Sequence, residues 1–115
     1  MAQSKVELFA QMAREQPANE MIWYGLASEY VKLERWREAA EALSQVVQLN
    51  PDYTAAYQML GTSLANLGEH EEARRVWREG IEVAKRTRAW KAQQHMEGLL
   101  ANVNPIADSS GLCTE

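Results

Sequence analysis

The residues able to do chemistry are few and scattered. Ser4, Ser28, Ser44 and Ser63 fall in different helical stretches, and none sits in the Gly-x-Ser-x-Gly turn that exposes a hydrolase nucleophile. Cys113 is the single cysteine, in a stretch with no basic neighbour to favour a thiolate. No glycine-rich motif offers to cradle a phosphate. His70 lies among Glu69, Glu71 and Glu72, where acids at a helix start complement the positive end of the helix dipole. Neighbouring side chains do not complete a metal-ligand set around it. His95, between Gln94 and Met96, reads as a polar surface residue. We therefore expect no catalytic residues, no metal and no cofactor, and a chain that is not an enzyme.

Charge and aromatic residues point instead to contacts. Between Arg74 and Lys91 stand seven basic residues (Arg74, Arg75, Arg78, Lys85, Arg86, Arg88, Lys91) against two acids, Glu79 and Glu82, inside a chain of net charge -4. One reading is a surface for RNA or another polyanion. The other is a solvated helix face, with Glu71–Arg75–Glu79 and Glu82–Arg86 pairing four residues apart. No aromatic alternates with these charges as a base-stacking platform would need, so nucleic acid is disfavoured. Of the four tryptophans, Trp23 and Trp77 fall on core positions. Trp36 and Trp90 sit off the strongest positions, and Trp90 is the better candidate for a secondary contact surface.

The elements that must position these residues are all helical. Ser4 and Glu7 form a capping box that starts a helix, which stops before Pro17. Asn19 caps the next, whose apolar residues Ile22, Trp23, Leu26, Ala27, Tyr30 and Leu33 recur at three and four. After a turn at Glu34 and Arg35, a third helix carries Trp36, Ala39, Ala40, Leu43, Val46 and Val47. Helices over 54–66 and 70–86 repeat the plan, with Gly68 at the turn between them. A last helix spans about 88–102. The junction 86–89 lacks glycine, so the last two helices either separate or run on as one, and a run-on helix favours swapping between copies. No period-two alternation marks a strand. With 115 residues, 46% of them hydrophobic and 24% charged, the chain suits one small globular domain. No signal-peptide run opens it, no stretch approaches 18 apolar residues, and one cysteine permits no internal disulfide. A cytoplasmic protein without a membrane partner is expected.

The chain also repeats itself. Adding 34 to each marked position takes Trp23 to Tyr57, Leu26 to Leu60, Ala27 to Gly61, Tyr30 to Leu64, Ala39 to Ala73 and Leu43 to Trp77. A fixed period of this length marks a solenoid, in which hairpins stack to bury faces that none could bury alone.

In its residues this pattern resembles the tetratricopeptide repeat. The first copy reads Trp23, Leu26, Ala27, Tyr30, Ala39, Leu43 and Pro51. The second reads Tyr57, Leu60, Gly61, Leu64, Gly68, Ala73, Trp77 and Gly80. Glu34 stands where the turn glycine is usual, Val46 where a small residue is usual, and Lys85 where the terminal proline is usual. The resemblance implies an all-α solenoid of antiparallel hairpins, about six helices in all. Its parts are an N-terminal half repeat over 1–18, repeats over 19–52 and 53–86, a capping helix over 87–104 and a flexible tail over 105–115. It further implies a non-enzymatic adaptor or scaffold that binds a peptide or helix of a partner protein in a concave groove. Carried onto this chain, the groove is Met21, Tyr24, Ser28, Val31 and Lys32, then Ala55, Gln58, Thr62, Ala65 and Asn66. The lysines and asparagines with which co-chaperone relatives hold a carboxylate are replaced here by Tyr24, Ser28, Gln58 and Thr62. Two alternatives stay open: a scaffold that assembles with itself, by stacking through the capping helix and Trp90 or by helix swapping, and a polyanion-binding module through Arg74–Lys91.

Overall fold

A computed structural model describes residues 4–103. Among them are six helices and no strand: α1 (Lys5–Glu15), α2 (Glu20–Lys32), α3 (Trp36–Leu49), α4 (Thr54–Asn66), α5 (His70–Thr87) and α6 (Trp90–Val103). The tail over 105–115, and Cys113 with it, lies outside the described residues.

Five of the helix ends have an identifiable cause. The Ser4 hydroxyl accepts from the Glu7 N–H at 3.1 Å, and the Glu7 carboxylate accepts from the Ser4 N–H at 3.3 Å, closing the capping box of α1. The Asn19 side chain accepts from Met21 N–H at 3.1 Å and starts α2. Helices α2, α4 and α5 end in one shared turn. Arg35 N–H donates to Tyr30 O at 2.9 Å, Glu69 N–H to Leu64 O at 2.9 Å, and Ala89 N–H to Ala84 O at 2.8 Å. The residue before each donor is left-handed: Glu34 at φ 57°, Gly68 at 82° and Arg88 at 62°. Only Gly68 adopts this conformation without steric cost. The α5–α6 junction is thus a closed turn and the two helices are separate; glycine's absence did not let them run on.

A second repeated device holds each hairpin to the loop before it. The indole of Trp23 donates to Pro17 O at 2.9 Å, and 34 residues later the phenol of Tyr57 donates to Pro51 O at the same 2.9 Å. The aromatic residue thus contributes packing area and also satisfies a loop carbonyl.

Consecutive helices pack on one another, and α4 also touches α6. One core runs through the stack, from Leu26, Ala27, Leu43 and Val46, through Tyr57, Leu60 and Leu64, to Trp77, Ala84 and Met96. Leu43 and Val46 are fully buried, each worth roughly 1.5–3 kcal/mol over exposure. In the second hairpin the indole of Trp77 lies directly on Gly61, where an added Cβ would lie 2.1 Å from Trp77 Nε1. Helix α6 is seated by Met96, fully buried, with its sulfur over Gly80.

The charges on α5 pair differently from the sequence expectation. Arg75 does pair with Glu79, and more closely with Glu72, but Glu71 pairs with Arg74. Arg86 reaches Asp52 in the loop between α3 and α4, leaving Glu82 to Lys85. Nor is the whole stretch solvated, because Arg74 is only 6% exposed. Its Nη2 donates to Glu71 at 2.7 Å, while Nη1 is buried without a partner among the described residues.

Candidate functional site

The ten groove positions inferred from the sequence lie on α2 and α4, and the structure divides them by what they already do. Met21 is 69% exposed. Tyr24, one turn further along the same face, is half-buried and stacks on Tyr53, with ring centroids 4.9 Å apart and planes inclined at 27°. Tyr53 immediately precedes α4, so this stack bridges the two repeats. Burial pushes both phenols up in pKa; the neighbouring Tyr53 phenolate adds to the rise at Tyr24, and the Glu20 carboxylate adds to it at Tyr53.

Several of the inferred polar groups are already bonded within their own helix. The Ser28 hydroxyl donates to Tyr24 O at 3.0 Å, and Thr62 to Gln58 O at 3.0 Å. The Asn66 amide donates to Thr62 O at 2.9 Å, and Lys32 pairs with Glu29 at 3.1 Å. Hydroxyls that bond the carbonyl four residues back have spent their donors on their own helix. Val31, Ala55 and Ala65 are partly buried, and Ala65 packs against the core. Gln58 differs: its Nε2 lies 2.9 Å from Nδ1 of His95 on α6. His95 therefore extends the face onto a third helix. Sequence reasoning missed Tyr53 and His95, because their partners come from helices 29 and 37 residues away and no local spacing announces them. Trp90, the secondary candidate, opens α6 and is 58% exposed.

A second concavity lies on the other side. Residues 57, 60 and 64 of α4 face away from residues 58, 62 and 66, at 3.6 residues per turn. There a cavity of about 1000 Å³ opens between α3 and α5. Its floor includes Ala40, Val47, Tyr57, Leu60, Leu64 and Val76, and its rim Glu41, Glu69, Glu71, Glu72 and Glu79 with Arg37 and Arg75. Arg37 pairs with Glu69 at 3.2 Å and joins the two hairpins across it. On this rim the Arg75 guanidinium holds the Glu72 carboxyl below its usual range. At the floor, burial raises the Tyr57 phenol, helped by Glu79 and Asp52 and opposed by Arg86. Among the described residues no group of three His, Cys, Asp or Glu could hold a metal ion. No described helix is long and apolar enough to cross a membrane.

Paired antiparallel helices at a 34-residue period, with small residues at the close approaches, define a helical-hairpin solenoid of the kind built for protein contacts. The sequence model of the tetratricopeptide repeat matches residues 30–96, and the chain belongs to that family. A curated relative, the TPR repeat-containing protein PA0015 of Pseudomonas aeruginosa, is 27% identical over 86 residues, 75% of this chain and 82% of that one. Among solved structures, protein BPP2914 of Bordetella parapertussis superimposes with a TM-score of 0.77 at 21% identity, covering 90% of both chains. The first TPR of Spaghetti (RPAP3), solved bound to an HSP90 peptide, gives 0.67 at 24% identity over 84% of this chain and 77% of that one. At these identities the structural likeness concerns the fold.

Proposed function

We propose that this chain is a non-enzymatic interaction module that holds a segment of a partner protein along the α2–α4 face. The observation that carries the reading is the exposed Met21 beside the stacked Tyr24–Tyr53 pair. Met21 is free of the core, while the two tyrosines pack against the core on one side and leave part of each ring on this face. At the other end of the face the Gln58–His95 pair offers an amide and an imidazole. A segment that suits this face has an apolar anchor for the Met21–Tyr24 end and hydrogen-bonding groups for the Gln58 end. The peptide-bound RPAP3 domain supports protein binding by this fold. Its ligand is not carried over, since Tyr24, Ser28, Gln58 and Thr62 supply no cation for a carboxylate.

The test is affinity capture of a partner, its identification by mass spectrometry, and titration against the wild type and a Tyr24→Glu/Gln58→Glu variant. Two carboxylates on a face built for apolar and amide contacts should weaken binding at least about tenfold, the effect of ~1.4 kcal/mol. Circular dichroism should remain that of the wild type. Unchanged affinity in a folded variant refutes the proposal.

A further inference from the structure

The cavity between α3 and α5 and the corner between α5 and α6 are both left unused by the partner face, and their chemistries match. The cavity has an apolar floor and a rim of five carboxylates against two guanidinium groups. Both guanidinium groups are already paired with rim carboxylates, Arg37 with Glu69 and Arg75 with Glu72 and Glu79, and Glu71 is paired with Arg74. Glu41 has no ion-pair partner among the described residues. The corner is the opposite. Arg88 is exposed in its left-handed turn, Trp90 is 58% exposed, and Lys91 beside it is exposed. Neither cation is ion-paired among the described residues. An exposed indole between two free cations contributes little to its own fold, and it is the side-chain type that anchors interfaces when it enters an apolar pocket.

We propose that the acid-rimmed cavity receives the Arg88–Trp90–Lys91 corner of a second copy of this chain. The indole lies on the floor beside Val47 and Val76, and the two cations meet carboxylates of the rim, Glu41 and Glu79 among them. The net charge of -4 opposes the approach of two copies, so the attraction is local. At ~0.1 M salt a Debye length of about 10 Å confines it to the patches that face each other. Cavity and corner are different surfaces. Two copies related by a two-fold axis exchange both contacts and close as a dimer, whereas any other relation adds further copies. The inference does not rest on the α2–α4 face, and its variants leave that face intact.

The experiment is the mass of the full chain by sedimentation or multi-angle light scattering over a concentration series, at low salt and at about 1 M salt, where the Debye length falls to ~3 Å. At low salt the mass should rise with concentration from that of a monomer, and high salt should shift the midpoint to at least about tenfold higher concentration. Arg88→Glu/Lys91→Glu and, separately, Glu41→Lys/Glu79→Lys should each remain monomeric where the wild type associates. All four positions are exposed, and circular dichroism checks the fold. Mixing the two variants should restore association, since each corner then meets a groove of opposite charge. Monomeric wild type throughout, association that survives in both variants, or a mixture that stays monomeric each overturns the proposal. If the wild type stays monomeric, an Arg- and Trp-containing peptide that saturates the cavity would reassign it to a basic partner.

Discussion

Replacing Gly61 by alanine tests how tightly the second hairpin is closed. The added methyl would lie 2.1 Å from Trp77 Nε1 and 2.5 Å from Cδ1 and Cε2. Ordinary contact between such atoms is about 3.5–4.0 Å, so α4 and the indole must separate by more than ~1 Å. The indole has nowhere to go: Trp77 is 1% exposed, and its N–H donates to Gln58 O at 3.4 Å. Overpacking costs about 1–3 kcal/mol, and a lost or stretched hydrogen bond about 0.5–1.5 kcal/mol. Alanine returns up to about 1 kcal/mol through its better helix propensity. The net expectation is a loss of ~2 kcal/mol, a fall in Tm of roughly 10 °C for a domain of this size. Gly98 is the control, because a Cβ there meets nothing within 4 Å. Gly98→Ala should therefore gain up to ~1 kcal/mol from propensity alone. Urea and thermal unfolding followed by circular dichroism and tryptophan fluorescence give both values. If the two alanines shift stability in the same direction, close approach at Gly61 is not what its glycine serves.

Three further outcomes follow from the geometry. Tyr57→Phe keeps the buried ring but deprives Pro51 O of its donor, and unfolding should become easier by ~1 kcal/mol; an unchanged midpoint would remove the aromatic clamp as a stabilising device. Arg88→Gly relieves a left-handed backbone worth about 1–3 kcal/mol of strain at some cost in chain entropy, so stability should rise by ~0.5–1 kcal/mol, and a fall would mean that the arginine side chain itself secures the turn. The phenols of Tyr24, Tyr53 and Tyr57 are all raised, chiefly by burial. Between the ordinary tyrosine value and the raised one the folded chain holds protons that the unfolded chain has lost. Stability is then complete below about pH 10 and declines as pH rises through the raised values. Ultraviolet titration should show late ionisation of these three phenols, advanced at Tyr24 by Tyr53→Phe; ionisation of every tyrosine at the ordinary value contradicts the buried stack.

What the sequence announced was whatever obeys a local rule. Ser4 with Glu7, Asn19 and Gly68 mark helix ends because the cap is made within a few residues. Trp23, Leu26, Leu43 and their copies 34 residues later declare the core because hairpin stacking demands the same volume at the same place. Arg88 was illegible because a left-handed turn without glycine is decided by the packing of α6, through Met96, rather than by its own type. The partner of Arg86 could not be read for a similar reason: Asp52 is distant in sequence and adjacent only once the repeats stack. The candidate face suffered most. Its positions came from the resemblance to the repeat family, but hydroxyls such as Ser28 and Thr62 turned to their own carbonyls, and Tyr53 and His95 entered from neighbouring helices. The acid-rimmed cavity arises from α3 and α5 standing apart over α4, a gap that no residue pattern encodes.

Because each helix leans mainly on the helices next to it in the chain, few native contacts require distant segments to meet. Closing the short loops involved costs little chain entropy, since that cost grows only with the logarithm of loop length. Helical proteins dominated by such contacts fold in microseconds to milliseconds. The contacts that pair α2 with α3 lie within the first hairpin, so pairing can begin while later residues are still being synthesised, and stacking of the second hairpin then buries the face left open. The same independence means that a whole 34-residue unit could be duplicated or deleted without redrawing the core on either side. In this chain the growing edge of the stack is the α5–α6 corner, where Trp90 waits in solvent.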